Sequence, residues 1–122
     1  MSSVKKGISV KLVVKEVQTL QEIDEMVDRC CLGQLIPDSI SEYKRKHFDE
    51  DGNRKNQLSF FSDTIYAVKY RGKVVGFVHF YTDYSDAYQN ILESLVIRPN
   101  LNPILKRAVK KLLERIVEES EP

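Results

Sequence analysis

The chain has 122 residues, 42% of them hydrophobic, which suits one domain over residues 1–122 with one core and excludes two independent ones. Lysine plus arginine (19) nearly balances aspartate plus glutamate (18), so net charge supplies no reason to expect a nucleic-acid or membrane partner. No apolar run reaches the roughly 20 residues that span a bilayer, and the start lacks the apolar stretch of a signal peptide. Residues 1–7 read as a flexible leader, and the chain as cytoplasmic.

In chain order, Ile8, Val10, Leu12 and Val14 alternate with Ser9, Lys11, Val13 and Lys15, the period of a strand with one buried face. Thr19-Leu20-Gln21-Glu22 matches a capping box, and Leu20, Ile23, Met26, Val27 and Cys30 follow at helical spacing to about Cys31, with a stop near Gly33. Ile36-Pro37-Asp38 opens a second helix through Ile40 and Tyr43 toward His47, with a thin apolar stripe. Residues 49–55 have the composition of a loop.

Thr64 to Tyr70 and Lys73 to Tyr81 are rich in β-branched and aromatic residues, and Arg71-Gly72 between them suits a tight hairpin turn. Thr82 to Tyr88 reads as a polar turn. Asn90 to Arg98 is mostly apolar and reads as a strand buried on both faces. Asn102 suits an N-cap with Pro103 in the first helical turn, and apolar pairs from Ile104/Leu105 to Ile116/Val117 recur every four residues. The expected fold is α+β, a mostly antiparallel four-stranded sheet in the order β-α-α-β-β-β-α.

Few residue patterns carry chemistry by themselves. Cys30 and Cys31 are adjacent, which disfavours a bond between them and suits two half-buried thiols at a helix end. The two histidines, His47 and His79, stand alone in sequence, so no metal site is expected. Calcium is rejected as well: counted from Asp49, the loop puts Arg54 and Phe60 where an EF-hand needs glycine and glutamate. His79 shares its parity with Phe77 and Tyr81 and, with no cysteine, serine or acid nearby to form a relay, reads as a satisfied, partly buried residue. Phe60, Phe61, Tyr66, Phe77 and Phe80 read as core rather than as a base-stacking platform.

Several phrases resemble the GNAT superfamily of acyl-CoA-dependent transferases: Thr64 to Val68 with Arg71 to Val78, then Ile91 to Pro99, then Arg107 to Leu113. The resemblance implies a GNAT-like N-terminal portion, a glutamate on the fourth strand as general base, and coenzyme A phosphates held by the turn before the following helix. Those roles fall on Glu93 as catalytic residue and on Asn102, Lys106 and Arg107 as cofactor-binding residues. The family's turn is rich in glycine, whereas residues 100–106 contain none and include a proline that cannot donate. The family also continues into a fifth strand, and these residues stop after the helix.

The expectation is therefore a degenerate GNAT-like domain that acts as a binding or interaction protein without a cofactor, a homodimer paired through the strand Ile91 to Ile97. The alternative is a minimal acetyl-CoA-dependent N-acyltransferase whose site a second subunit completes. A nucleic-acid accessory role, resting on Lys106, Arg107, Lys110 and Lys111 near the helix start, ranks below both, because solvated faces commonly carry such charges.

Overall fold

A computed structural model of the chain describes residues 11–55, 63–83 and 89–120. Its elements are β1 (Leu12–Glu16), α1 (Leu20–Cys31), α2 (Asp38–His47), β2 (Asp63–Tyr70), β3 (Lys73–Asp83), β4 (Gln89–Ile97) and α3 (Pro103–Glu119). This is the expected α+β order, with four antiparallel strands lying in the sheet in chain order. Among the described residues no helix is long and apolar enough to cross a membrane.

Local chemistry sets the element ends. Thr19 Oγ1 accepts the Glu22 N–H at 3.1 Å and the Glu22 carboxylate accepts the Thr19 N–H at 3.0 Å, closing the expected capping box at the start of α1. Lys15 of β1 adds an ion pair to the same carboxylate at 2.7 Å, tying the first strand to the first helix. Left-handed Leu32 (φ 47°) and Gly33 (φ 79°) end α1. Arg71 (φ 54°) and Gly72 (φ 79°) are both left-handed between β2 and β3, the geometry whose twist matches a hairpin. Asn102 caps α3 by accepting the Leu105 N–H at 2.8 Å, with Pro103 in the first turn.

The sheet is covered on both faces. Ile23, Met26 and Cys30 of α1 and Ile40 and Tyr43 of α2 pack with Ile65, Ala67 and Phe77 on one face. Leu105, Val109 and Leu113 of α3 pack with Val68, Val78 and Phe80 on the other. Gly76 permits the second contact, since a Cβ there would lie 2.8 Å from Val109 Cγ1 and 3.2 Å from Leu113 Cδ1.

Among the described residues, two β-bulges shape the sheet. Val68 faces Gly76 while Lys69 faces Val74, which leaves Val75 as an extra residue in β3. His79 faces Ser94 while Phe80 faces Leu92, which leaves Glu93 as an extra residue in β4.

The sheet margins differ from the sequence reading. β4 is not buried on both faces, with Leu92 50% exposed and Glu93 exposed; among the described residues it lies at the sheet edge, where its expected pairing also put it. An apolar run of this kind is ambiguous, because one covered face already demands hydrophobic residues and the uncovered margin does not punish others. On β1, the opposite edge, Val14 was expected inside and is 40% exposed, because α3 lies over the β3–β4 side of the sheet and reaches the other margin only partly. The parts of the reading that concern Ile8, Val10, Phe60, Phe61 and residues 84–88 lie outside the described residues.

Candidate functional site

Between α2 and the sheet, side chains that lie far apart in sequence form one polar cluster. Strand periodicity puts His79 on the same face of β3 as Phe77, and Asp63 on the same face of β2 as Ile65. Ile65 pairs with His79 and Asp63 with Tyr81, so Asp63 stands diagonally across from His79. From above, α2 lowers Ser39, Tyr43 and His47 onto them at helical spacing, and β4 brings Ser94 alongside, opposite His79.

The contacts form a chain. His79 Nε2 lies 3.1 Å from Asp63 Oδ2, and His47 Nε2 lies 2.8 Å from Asp63 Oδ1, so one carboxylate joins both histidines. His79 Nδ1 is 3.1 Å from Ser39 Oγ, which in turn contacts Ser94 Oγ at 2.5 Å. On the far side Arg54 Nη1 approaches His47 Nδ1 at 3.4 Å, Arg54 Nη2 donates to Tyr43 Oη at 3.2 Å, and Arg54 Nε and Nη2 donate to the Gln18 carbonyl. The Tyr43 ring stacks on His47 with centroids 4.1 Å apart and meets His79 edge-on at 5.4 Å.

The partners assign the tautomers. Arg54 can only donate, so in neutral His47 the Nδ1 atom accepts and Nε2–H points at Asp63. The ionised carboxylate can only accept, so His79 likewise presents Nε2–H to it and keeps a bare Nδ1 toward Ser39. The Ser39 hydroxyl then donates to His79, and the Ser94 hydroxyl can donate to Ser39. From Ser94 through Ser39, His79 and Asp63 to His47, each donor so assigned meets an acceptor.

Electrostatics agree with that direction. Burial, the largest single influence on Asp63, pushes its carboxyl up, but the hydrogen bonds and charges of His79 and His47 together outweigh it and hold the group at about 2. The Tyr43 phenol is raised, chiefly by burial, with Arg54 opposing. The carboxylate is thus kept charged where only 10% of its side chain is exposed, beside a His79 that is 4% exposed.

No protein-family model matches the chain, and no curated protein matches it. Among solved structures, the chain is similar to the ribosomal-protein-alanine N-acetyltransferase from Brucella melitensis biovar Abortus 2308, at 12% sequence identity and a TM-score of 0.47, over 89% of this chain and 73% of that one.

The residues singled out from sequence lie elsewhere or at the margin of the cluster. Glu93 is the bulged residue of β4, exposed, and opposes His79 together with Ser94. Asn102, Lys106 and Arg107 are exposed on the first turns of α3, which packs on the other sheet face. The Asn102 side chain caps its own helix through the Leu105 N–H, and its carbonyl accepts the Lys106 N–H at 2.9 Å. Cys30 and Cys31 are free and buried, with burial pushing the Cys30 thiol up to about 12.

The view of His79 as lacking a serine or acid for a relay fails in three dimensions. Ser39 and Asp63 are 40 and 16 residues away along the chain and both bond to its ring. Asp63 was within reach of sequence reasoning, because the hairpin turn fixes which residues share a face with His79. Ser39 and Ser94 carried no comparable signal.

Proposed function

We propose that the chain is a cytoplasmic GNAT-like domain that works by binding, without coenzyme A, and that β4 pairs with β4 of a second copy. One observation carries this reading: among the described residues no strand pairs with the outer margin of β4, a strand of nine residues. The Arg98 N–H donates to the Val75 carbonyl at 2.9 Å, so by antiparallel alternation the backbone groups of Val96 and Ser94 turn toward β3 and those of Leu95 and Ile97 turn outward. A two-fold axis beside this margin joins two such strands isologously, and Leu92 supplies exposed apolar surface next to it.

The start of α3 supports the absence of a phosphate cradle. Pro103 has no N–H, and the N–H groups of Leu105 and Lys106 are taken by Asn102. That leaves the Ile104 amide as the one donor of the first helical turn still open to an anion.

Light scattering across a concentration series tests the self-association. The expected mass is twice 14.1 kDa at the higher concentrations. A mass of 14.1 kDa at every concentration refutes the reading.

The alternative is an acetyl-CoA-dependent N-acyltransferase whose site a second subunit completes, with Glu93 as base and Asn102, Lys106 and Arg107 near the cofactor phosphates. Calorimetric titration with acetyl-CoA separates the two. Saturable binding abolished by Lys106→Glu with Arg107→Glu supports the enzyme, and no heat at millimolar ligand removes it.

A further inference from the structure

We propose that Ser39 is a nucleophile, with His79 as its base and Asp63 orienting that base, and that it takes the acyl group of an uncharged carboxylic ester. The inference rests on the hydrogen-bond chain beneath α2 and is independent of the self-association along β4.

Three features distinguish Ser39 from an ordinary surface serine. First, the chain has the connectivity of a hydroxyl–imidazole–carboxylate relay: Ser39 Oγ to His79 Nδ1 at 3.1 Å, and His79 Nε2 to Asp63 Oδ2 at 3.1 Å. The ring nitrogens exchange the roles seen in serine proteases, where the carboxylate holds Nδ1, but one nitrogen still accepts from the hydroxyl while the other donates to the acid. Second, burial is graded. His79 and Asp63 are enclosed, while Ser39 is half-buried at the rim, so the base is shielded from water and the attacking oxygen lies at the boundary with it. Third, Ser39 is in the first turn of α2, whose N-cap Pro37 makes no side-chain cap. The N–H groups of Asp38 and Ser39 precede the first possible intrahelical acceptor and so have no partner within the helix, as donors to the oxygen of a tetrahedral intermediate must.

The step balances. As Ser39 Oγ bonds to the ester carbonyl carbon, its proton passes to His79 Nδ1, and collapse of the intermediate breaks the bond to the alcohol oxygen, which leaves with that proton. Water then attacks the acyl carbon, giving one proton to His79. Cleavage of the acyl–Oγ bond returns that proton to Ser39 and releases the carboxylic acid. Asp63 stays ionised throughout and stabilises the imidazolium. The exposed carboxylates of Asp38 and Glu93 stand beside Ser39 in sequence and opposite His79 in the sheet, respectively, and disfavour an anionic substrate.

A hydrogen-bond network with only a structural role leaves Ser39 no more reactive than any other serine, and an active-site phosphonylating probe measures the difference. The full chain is incubated with an uncharged alkyl fluorophosphonate and the adducts are mapped by peptide mass spectrometry. The expected result is one adduct on Ser39, formed at least about 100-fold faster than on Ser41, an exposed serine of the same helix. Labelling should fall about 100-fold in Asp63→Asn and His79→Gln, while Ser41→Ala labels at the native rate. Circular dichroism checks that the variants fold, and the Ser39-to-Ser41 ratio in the native chain decides if they do not. No adduct on Ser39, equal labelling of the two serines, or native-rate labelling in a folded Asp63→Asn overturns the proposal.

Discussion

Replacing Asp63 by asparagine tests the centre of the polar cluster, because it keeps the size of the side chain and removes its charge. The carboxylate accepts from both His47 and His79, whereas a carboxamide has one accepting atom, so one of the two imidazoles must lose its partner or reverse its tautomer. The magnitude follows from proton linkage. Asp63 is held at about 2 instead of the ordinary 3.8, which corresponds to roughly 2 kcal/mol of stability at neutral pH. The sign is that of a depressed acid: between these values the unfolded chain binds more protons, so the contribution is complete above the unfolded value and disappears as pH falls through about 2. By pH 3 about half of it remains. Urea unfolding of both proteins from pH 7 down to pH 3 should therefore show a gap of roughly 2 kcal/mol that narrows by about half. The Glu22 carboxyl is also held at about 2, first by its hydrogen bond to Lys15, but it is common to both proteins and cancels in the difference. A gap below about 0.5 kcal/mol at pH 7, or one that does not narrow in acid, refutes the account of Asp63 as an ionised hub.

Other perturbations address the packing and the margin. Gly76→Ala puts a methyl group 2.8 Å from Val109 Cγ1 and 3.2 Å from the Val96 carbonyl oxygen, and thermal unfolding should show a loss of about 1–3 kcal/mol as α3 is pushed from the sheet. Thr19→Ala opens the capping box of α1, with an expected loss of about 1 kcal/mol in the same assay. Leu92→Lys adds a charge to the exposed margin of β4 and tests the proposed pairing there: it should lower any concentration-dependent rise in the light-scattering mass without changing the circular dichroism spectrum.

Where local patterns decide structure, the fold was legible from the residues. The capping box at Thr19 and Glu22, the Arg71-Gly72 turn and the Asn102-Pro103 start of α3 all appear where nearby residues alone require them. The bulges did not announce themselves. Val75 and Glu93 are accommodated as extra residues because of what the partner strand offers, and that is a property of two strands together. The same limit hid the polar cluster. Asp63 and His79 are related by hairpin register, but Ser39 meets Ser94 across 55 residues only because α2 comes down beside β4.

The thin apolar stripe of α2 has an explanation in that cluster. Ile40 and Tyr43 are its buried residues, too few to fix a ten-residue helix by burial alone, whereas Ser39 and His47 bind the sheet from its two ends. Polar contacts thus do for α2 what Leu105, Val109 and Leu113 do for α3, and the residues that activate Ser39 also hold its helix down. Ser39→Ala should separate these two forms of docking. It removes the link to Ser94 and leaves the buried Nδ1 of His79 without its hydroxyl, a loss of about 1–3 kcal/mol. Hydrogen exchange of the α2 amides from Glu42 to Lys46 should accelerate by about 5- to 160-fold, the range those energies imply for a local opening, while amides of α3 around Val109 keep their native rates. Equal acceleration in both helices would mean that α2 opens only with the whole domain, and unchanged exchange in α2 would mean that Ile40 and Tyr43 suffice to hold it.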